Sequence, residues 1–116
     1  MSLASHLDSY LRWINASSGE DVQLIAVEDV CYFRSDMKYT RVVGATREGL
    51  IRKTLKALVA ELDPATFRQV HRAILVNLNA VESVGHDEKG RMVLRLRGRS
   101  EVLHVSQPYS HTFRQM

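Results

Sequence analysis

The stretch from residue 67 to residue 84 reads FRQVHRAILVNLNAVESV, and it decides how the rest of the chain is interpreted. In one straight strand, the apolar residues that face the core would all have odd numbers or all have even numbers. Here the alternation changes from one to the other just after His71, which is a slip in the period. Such a slip predicts a bend or turn, where a sheet protein can present side chains without disturbing its ladder. The pair His71-Arg72 would then stand exposed beside two apolar runs, residues 74–76 and 81–84, expected to be buried scaffold.

Length and composition favour one globular domain. The chain has 116 residues, enough for a core of its own, and 45% hydrophobic with 25% charged residues argues against disorder. The net charge of +3 permits an anionic partner. The single cysteine, Cys31, excludes an internal disulfide, which favours a reducing compartment. Because no apolar window is long enough to cross a bilayer and no signal peptide is evident, we expect a cytoplasmic protein without membrane contact.

The N-terminal half has the pattern of short strands. Residues 1–10 show weak periodicity and are interpreted as a lead segment or an expression remnant, ahead of one domain over residues 11–116. Strands are predicted over residues 11–16, 22–27, 30–35 and 39–45, with a polar hairpin connection at 36–38 and a turn at 46–49.

One amphipathic helix follows. Thr54 is a suitable N-cap, and Asp63-Pro64 ends the helix because the residue before a proline is pushed out of the helical region. Its apolar face is expected to cover a sheet, since spacings of three, four and seven residues join Leu55, Leu58, Val59 and Leu62. Basic residues at the start of the helix have two interpretations, a solvated face or contact with phosphate groups.

The C-terminal part predicts a hairpin and a short helix. Residues 91–97 alternate with a period of two, and residues 101–105 form the second strand. The hairpin carries Arg91, Arg95, Arg97 and Arg99, which we interpret as a solvated polar face, as is usual for antiparallel sheets. Residues 107–116 are predicted to form a short helix or tail docked through Tyr109 and Phe113.

Four ordered blocks resemble one known family. The run HRAILVN within LDPATFRQVHRAILVNLNAVESV is accompanied by VEDVCYFRSDMKYT at 27–40, LIRKTLKALVAEL at 50–62 and LHVSQPY at 103–109. Together they are similar to the LytTR domain, the DNA-binding domain of LytR/AlgR-type bacterial transcription regulators. The resemblance implies a mainly β fold of antiparallel strands in small stacked sheets, a LytTR-like β sandwich, with the amphipathic helix and a short C-terminal helix.

The same resemblance implies three DNA-binding loops on one side of the domain. Its DNA-binding residues would be Lys38, Tyr39, Thr40, His71, Arg72, Ser106 and Gln107. Arg72 is the candidate base reader because a guanidinium can span the two acceptors of a guanine. Gln107 departs from the family, in which arginine is common after the serine, so base preference there stays open. Candidate phosphate contacts are Arg41, Arg52, Lys53 and Arg68.

Enzymatic and metal-dependent functions find no support in the pattern. A histidine beside a core strand is more often structural than catalytic, so His71 is expected to hold the loop that aims Arg72 or to contact a phosphate. The other histidines lack metal-ligand spacing, and no carboxylate cluster or phosphate-binding glycine loop is present in the sequence. We therefore expect no cofactor and no catalysis.

The leading hypothesis is sequence-specific binding of double-stranded DNA by a bacterial transcription regulator. By resemblance, loops would enter the major groove, a second copy would bind an adjacent direct repeat, and the parent protein would carry a receiver or sensor domain. The alternative is an RNA-binding or non-specific nucleic-acid module, which would need aromatic side chains on an exposed sheet face.

Overall fold

The computed structural model describes residues 9–114, so most of the predicted lead segment and the last two residues lie outside the described part. The described residues form ten strands, one α-helix (α1) and three short 3₁₀ helices. The strands are β1 (Trp13–Ser18), β2 (Asp21–Ala26), β3 (Val30–Ser35), β4 (Thr40–Gly44), β5 (Glu48–Ile51), β6 (Phe67–His71), β7 (Ile74–Asn77), β8 (Val81–His86), β9 (Met92–Leu96) and β10 (Val102–His104). Helix α1 covers Leu55–Glu61, and the 3₁₀ helices cover Val27–Asp29, Leu78–Ala80 and Gln107–Phe113.

The strands form two antiparallel sheets. A seven-stranded sheet has the order β2-β1-β5-β4-β3-β7-β6, and a three-stranded sheet has the order β10-β9-β8. Helix α1 packs on one face of the large sheet, and the small sheet packs on the other. The predicted architecture, mainly antiparallel β in stacked sheets with one amphipathic helix and a short C-terminal helix, is therefore confirmed. The C-terminal helix is 3₁₀ rather than α, and Tyr109 and Phe113 pack against the core as expected.

Strand β3 separates two cores. Its sequence, VCYFRS, is apolar at four consecutive positions, and a register shift between Val30 and Tyr32 places Cys31 and Tyr32 in the same core. Phe33 contributes to the core under α1, together with Leu58 and Leu75. Tyr32 contributes to the core under the small sheet. A strand packed on both faces needs a continuous apolar run. Such a run is visible in the sequence, and the strand was therefore predicted with its observed bounds.

Helix α1 begins and ends where the sequence indicates. The Thr54 hydroxyl accepts a hydrogen bond from the Ala57 backbone N–H at 3.1 Å, which confirms the predicted N-cap. The helix ends before Pro64. Leu55 and Leu58 are buried on the sheet, but the prediction for Val59 was wrong, because 46% of its surface is exposed. With only about two turns, the helix rests on the sheet along a narrow stripe, and Val59 lies at its margin.

Two further predictions were wrong. Residues 48 and 49, predicted as the end of the turn at 46–49, belong instead to β5. The sequence looked like a turn because of Gly49, a residue that is rare inside strands. A Cβ at this position would lie 2.6 Å from the Ala16 Cβ, so only glycine allows β1 to pack this closely. The apolar run at 81–84 belongs to β8, an edge strand of the small sheet, and Val84 is exposed rather than buried scaffold.

The β9–β10 hairpin is present, but its arginines are not all merely solvated: Arg91 Nε donates to Asp87 Oδ2 at 2.8 Å, and Arg99 forms a larger network. Arg99 Nε donates to Glu101 Oε2 at 2.7 Å, and its two terminal nitrogens donate to Gly44 O and Glu48 Oε2, each at 2.8 Å. Tyr32 also donates to Glu101 Oε2, at 2.9 Å. These bonds connect the small sheet to the large one, and guanidinium geometry suits such a bridge because its fork offers several fixed donors.

Acid should weaken this bridge. Burial alone would raise the pKa of Glu101, but hydrogen bonds from its own backbone N–H, from Arg99 and from Tyr32 outweigh burial and lower it below 4.5. A carboxyl whose folded-state pKa is lowered stabilises the fold above its unfolded pKa, and that stabilisation is lost as the pH falls through the folded-state pKa. We therefore expect the free energy of unfolding to drop more steeply between about pH 5 and about pH 3 in the wild type than in Glu101→Gln.

Urea denaturation at a series of pH values measures this difference. The other carboxylates, including Asp87 with its own lowered pKa, are common to both proteins, so only the contribution of Glu101 differs. Parallel pH profiles for the two proteins would contradict the stabilising role of the ionised carboxylate.

Candidate nucleic-acid interface

The connection between β3 and β4, residues 36–39, is a tight loop. Asp36 donates its backbone N–H to Tyr39 O at 2.7 Å, and the Asp36 carboxylate accepts from the Met37 backbone N–H at 2.8 Å. Lys38 and Tyr39 are exposed. The hairpin predicted from the polar residues is therefore confirmed, and its backbone is fixed by its own hydrogen bonds.

The period slip after His71 is a hairpin turn between β6 and β7. Arg72 is exposed at this turn. His71 Nδ1 accepts a hydrogen bond from the Ala73 backbone N–H at 3.1 Å, and the Gln69 side chain donates to Arg72 O at 3.3 Å. Of the two roles weighed for His71, the geometry supports holding the loop that aims Arg72.

These two loops lie at the same end of the large sheet. Strands β3 and β7 are adjacent, with Arg34 opposite Ile74. The Ser35 backbone N–H donates to Ala73 O at 2.8 Å, which ties the start of the first loop to the second. Pairing of β3 with β7 thus brings together two segments that are far apart in the sequence.

The third predicted segment joins them through β6. The Ser106 backbone N–H donates to Val70 O at 2.9 Å, and the Ser106 hydroxyl lies 3.4 Å from the same oxygen. Gln107 is exposed at the start of the C-terminal 3₁₀ helix. His71, Ser106 and Gln107 line one groove of about 840 Å³. We call the end of the domain formed by residues 36–39, 72–73 and 106–107 the loop end.

Thr40 differs from its predicted neighbours. It is 2% exposed, and its hydroxyl donates to Lys53 O at 2.6 Å. A buried hydroxyl that already has a partner is not available to a base or a phosphate, so Thr40 supports the loop end from within. The same bond places residues 52–53, which follow β5, at this end of the sheet.

The candidate phosphate contacts fall into two groups. Arg52 and Arg68 are exposed. Arg41 lies 3.6 Å from Glu48, and Lys53 lies 3.0 Å from Glu61. Exposed ion pairs are weak, about 0 to 1 kcal/mol, so phosphate groups can compete for these two cations.

Sequence reasoning missed three features of the loop end. Met37 is 97% exposed at the tip of the first loop. Arg91 and Arg114 line the same groove as His71 and Gln107. Arg91 precedes β9 and Arg114 follows the C-terminal 3₁₀ helix, so their proximity depends on tertiary packing that the sequence does not show.

Neither a group of metal-ligating side chains nor a membrane-spanning helix is found among the described residues. Within residues 9–114, no three side chains of histidine, cysteine, aspartate or glutamate are grouped to hold a metal ion. The helices formed by these residues are too short or too polar to span a bilayer.

The His71 hydrogen bond can be tested by substitution. His71→Ala removes the acceptor of the Ala73 N–H, and we expect the free energy of unfolding to fall by about 1 kcal/mol. His71→Asn should restore most of this loss, because an asparagine side chain accepts from the backbone N–H two residues further on. Urea denaturation of the three proteins provides the measurement. Equal losses in both variants would contradict the acceptor role.

Exposed cationic and amide side chains on rigid loops at one end of a β domain are the chemistry with which DNA-binding proteins contact phosphates and base edges. The comparisons with known proteins specify the family: the model of the LytTr DNA-binding domain matches residues 20–116. The chain therefore belongs to the LytTR family of DNA-binding domains.

Similar proteins agree with this assignment. The chain is 40% identical over 109 residues to an uncharacterised response regulatory protein of Vibrio cholerae, a match that covers 90% of this chain and 41% of that protein. It is 33% identical over 85 residues to the positive alginate biosynthesis regulatory protein of Pseudomonas aeruginosa, covering 73% of this chain and 34% of that protein. The chain thus spans less than half the length of these relatives.

A solved structure has the same fold. It is the LytTr DNA-binding domain of a protein described as a methyl-accepting/DNA response regulator from Bacillus cereus. The TM-score is 0.81 at 21% identity, covering 89% of this chain and 94% of that one. At this identity the likeness concerns the fold.

Proposed function

We propose that this chain binds double-stranded DNA sequence-specifically, as the output domain of a bacterial transcription regulator, with its loop end in the major groove. The observation that carries the proposal is the β6–β7 turn. Its backbone is held by His71 and Gln69, and it offers Arg72 to solvent beside two other polar loops. Reading a base requires a donor fork, and the Arg72 guanidinium supplies one from a backbone that these bonds hold in place.

The surrounding residues have distinct proposed roles. Lys38 and Tyr39 contact DNA from the first loop, and Gln107 reads a base edge or donates to one from the third. Arg41, Arg52, Lys53 and Arg68 contact phosphate groups and set the position of the domain on the duplex. The Ser106 N–H and hydroxyl both face Val70 O, so the proposed role of Ser106 is to hold the backbone of the third loop against β6.

The parent protein and a second copy complete the proposal. The relatives named above are regulators of which this chain spans less than half, so we propose that a receiver or sensor domain controls this one in a longer protein. A second copy would bind an adjacent direct repeat, which increases affinity when both half-sites are occupied.

The aromatic residues of the central strands give the competing RNA-binding hypothesis no stacking platform, and the exposed rings of Trp13 and Tyr39 lie on β1 and in the first loop. Stacking of single-stranded bases needs exposed aromatic rings on a platform. Tyr32, Phe33 and Phe67 are each 5% exposed or less. Both faces of the central strand are covered, one by α1 and one by the small sheet.

Selection of bound DNA from a random duplex pool tests the proposal. We expect one enriched motif, present twice at a fixed spacing if two copies bind direct repeats. Competition with single-stranded RNA should leave binding to the selected duplex intact. Enrichment of no motif, or displacement of the duplex by RNA at similar concentrations, would overturn the proposal.

A further inference from the structure

We propose that Met37 is a specificity-determining residue that contacts the C5 methyl group of a thymine in the major groove. This inference rests on the proposed function, and it adds an apolar base contact to the polar ones already assigned. Its starting point is exposure: 97% of the Met37 surface is in solvent, although an apolar side chain gains free energy when it leaves water.

The backbone that carries this side chain is fixed by its loop. The Met37 backbone N–H is bonded to the Asp36 carboxylate at 2.8 Å, and the Asp36 backbone N–H is bonded to Tyr39 O at 2.7 Å. The Ser35 N–H ties the base of the loop to Ala73 O, next to Arg72. The backbone is thus held, and the thioether side chain is the group that the tip presents.

Its surroundings combine apolar surface with positive charge. A shallow hollow of about 300 Å³ beside the tip is lined by Met37, Tyr39 and Leu50, and its wall holds two cations, Lys38 and Arg41, and one carboxylate, Asp36, which is bonded to the Met37 N–H. Cations that can approach phosphate groups therefore flank an apolar centre. Other exposed apolar residues, such as Val22 and Leu24, lie on β2, outside the loop end.

Base chemistry identifies the ligand. Along the major groove the base edges offer hydrogen-bond donors and acceptors, and the thymine C5 methyl is the apolar group that proteins recognise by apolar contact. A flexible, polarizable thioether adapts well to such a small apolar surface. With Arg72 suited to guanine, the two adjacent loops would read chemically different base pairs.

The experiment removes only the methyl group. Each thymine of the selected duplex is replaced in turn by deoxyuridine, and affinity is measured by fluorescence anisotropy. For the wild type we expect about a four-fold loss at one position of each half-site, the value for one buried methyl-sized group. Met37→Gln should bind the thymine and uracil duplexes equally, whereas Met37→Leu should keep most of the difference.

Matched variants separate this contact from general effects. Lys38→Gln, on the same loop, should weaken binding to all duplexes and keep the thymine-to-uracil ratio. Val22→Gln makes a similar apolar-to-polar change at a residue that is 61% exposed on β2, and it should change neither affinity nor ratio.

Two results would overturn the inference while leaving the proposed function in place. One is a wild-type affinity that does not respond to uracil at any position. That result is also expected if Met37 is inserted as a wedge between base steps instead of contacting a methyl group. The other is a thymine-to-uracil ratio that persists in Met37→Gln. If the selection enriches no motif, the proposed function fails first, and this inference fails with it.

Discussion

Arg72→Ala is expected to reduce the preference of this domain for its selected duplex over random DNA by about 5-fold to 150-fold. The range follows from the discrimination that one bidentate guanidinium contact provides, about 1 to 3 kcal/mol. Binding to random DNA should change much less, because phosphate contacts supply most of it. Arg72→Lys keeps the charge but not the fork, so it should lose nearly as much preference as alanine.

Arg95→Ala is the matched control for Arg72→Ala. It removes the same charge from the outer face of the small sheet, where the guanidinium lies against Gly85 in a space that a Cβ would occupy. Competition titrations with selected and random duplexes measure the ratio for each protein. An unchanged ratio in Arg72→Ala, or an equal loss in Arg95→Ala, would contradict base reading by Arg72.

Phe33→Ala is expected to lower the free energy of unfolding by about 3 to 5 kcal/mol. The ring is 0% exposed between the large sheet and α1, and its centroid lies 5.8 Å from that of Phe67. Truncation leaves a cavity that neighbouring strands cannot close without losing their register. A loss of this size is a large part of the total stability of a small domain, about 5 to 15 kcal/mol.

Leu24→Ala provides the comparison for Phe33→Ala. Leu24 is 58% exposed, so its truncation removes little buried surface and should cost less than about 0.5 kcal/mol. Urea denaturation measures both variants against the wild type. Similar losses for the two would mean that the core beneath α1 contributes less than its burial indicates.

Local signals made several elements predictable. The continuous apolar run at 30–35 indicated a strand, and the residues at 54 and 63–64 marked the ends of α1. The parity slip after His71 indicated a turn, and the structure places a hairpin there. Each of these features depends on residues within one element, so the sequence contains the information.

Other features depended on contacts between distant segments. β5 was hidden because Gly49 replaces an inward apolar residue where β1 packs closely. Thr40 was expected at the surface, but its burial follows from the bond with Lys53 O and the register with β5. The meeting of three loops at one end results from the pairing of β3 with β7 and from the Ser106 bond to β6. From the sequence, only the family resemblance could indicate that these three loops lie together.

The environment of Cys31 has a practical consequence for labelling. The thiol belongs to a residue that is 4% exposed, and burial is the main cause that raises its pKa. Because the thiolate is the reactive form, this cysteine should react slowly with maleimide dyes at neutral pH. A second cysteine introduced at the exposed position 56 of α1, Lys56→Cys, would then carry a single fluorophore, and the native Cys31 could stay in place.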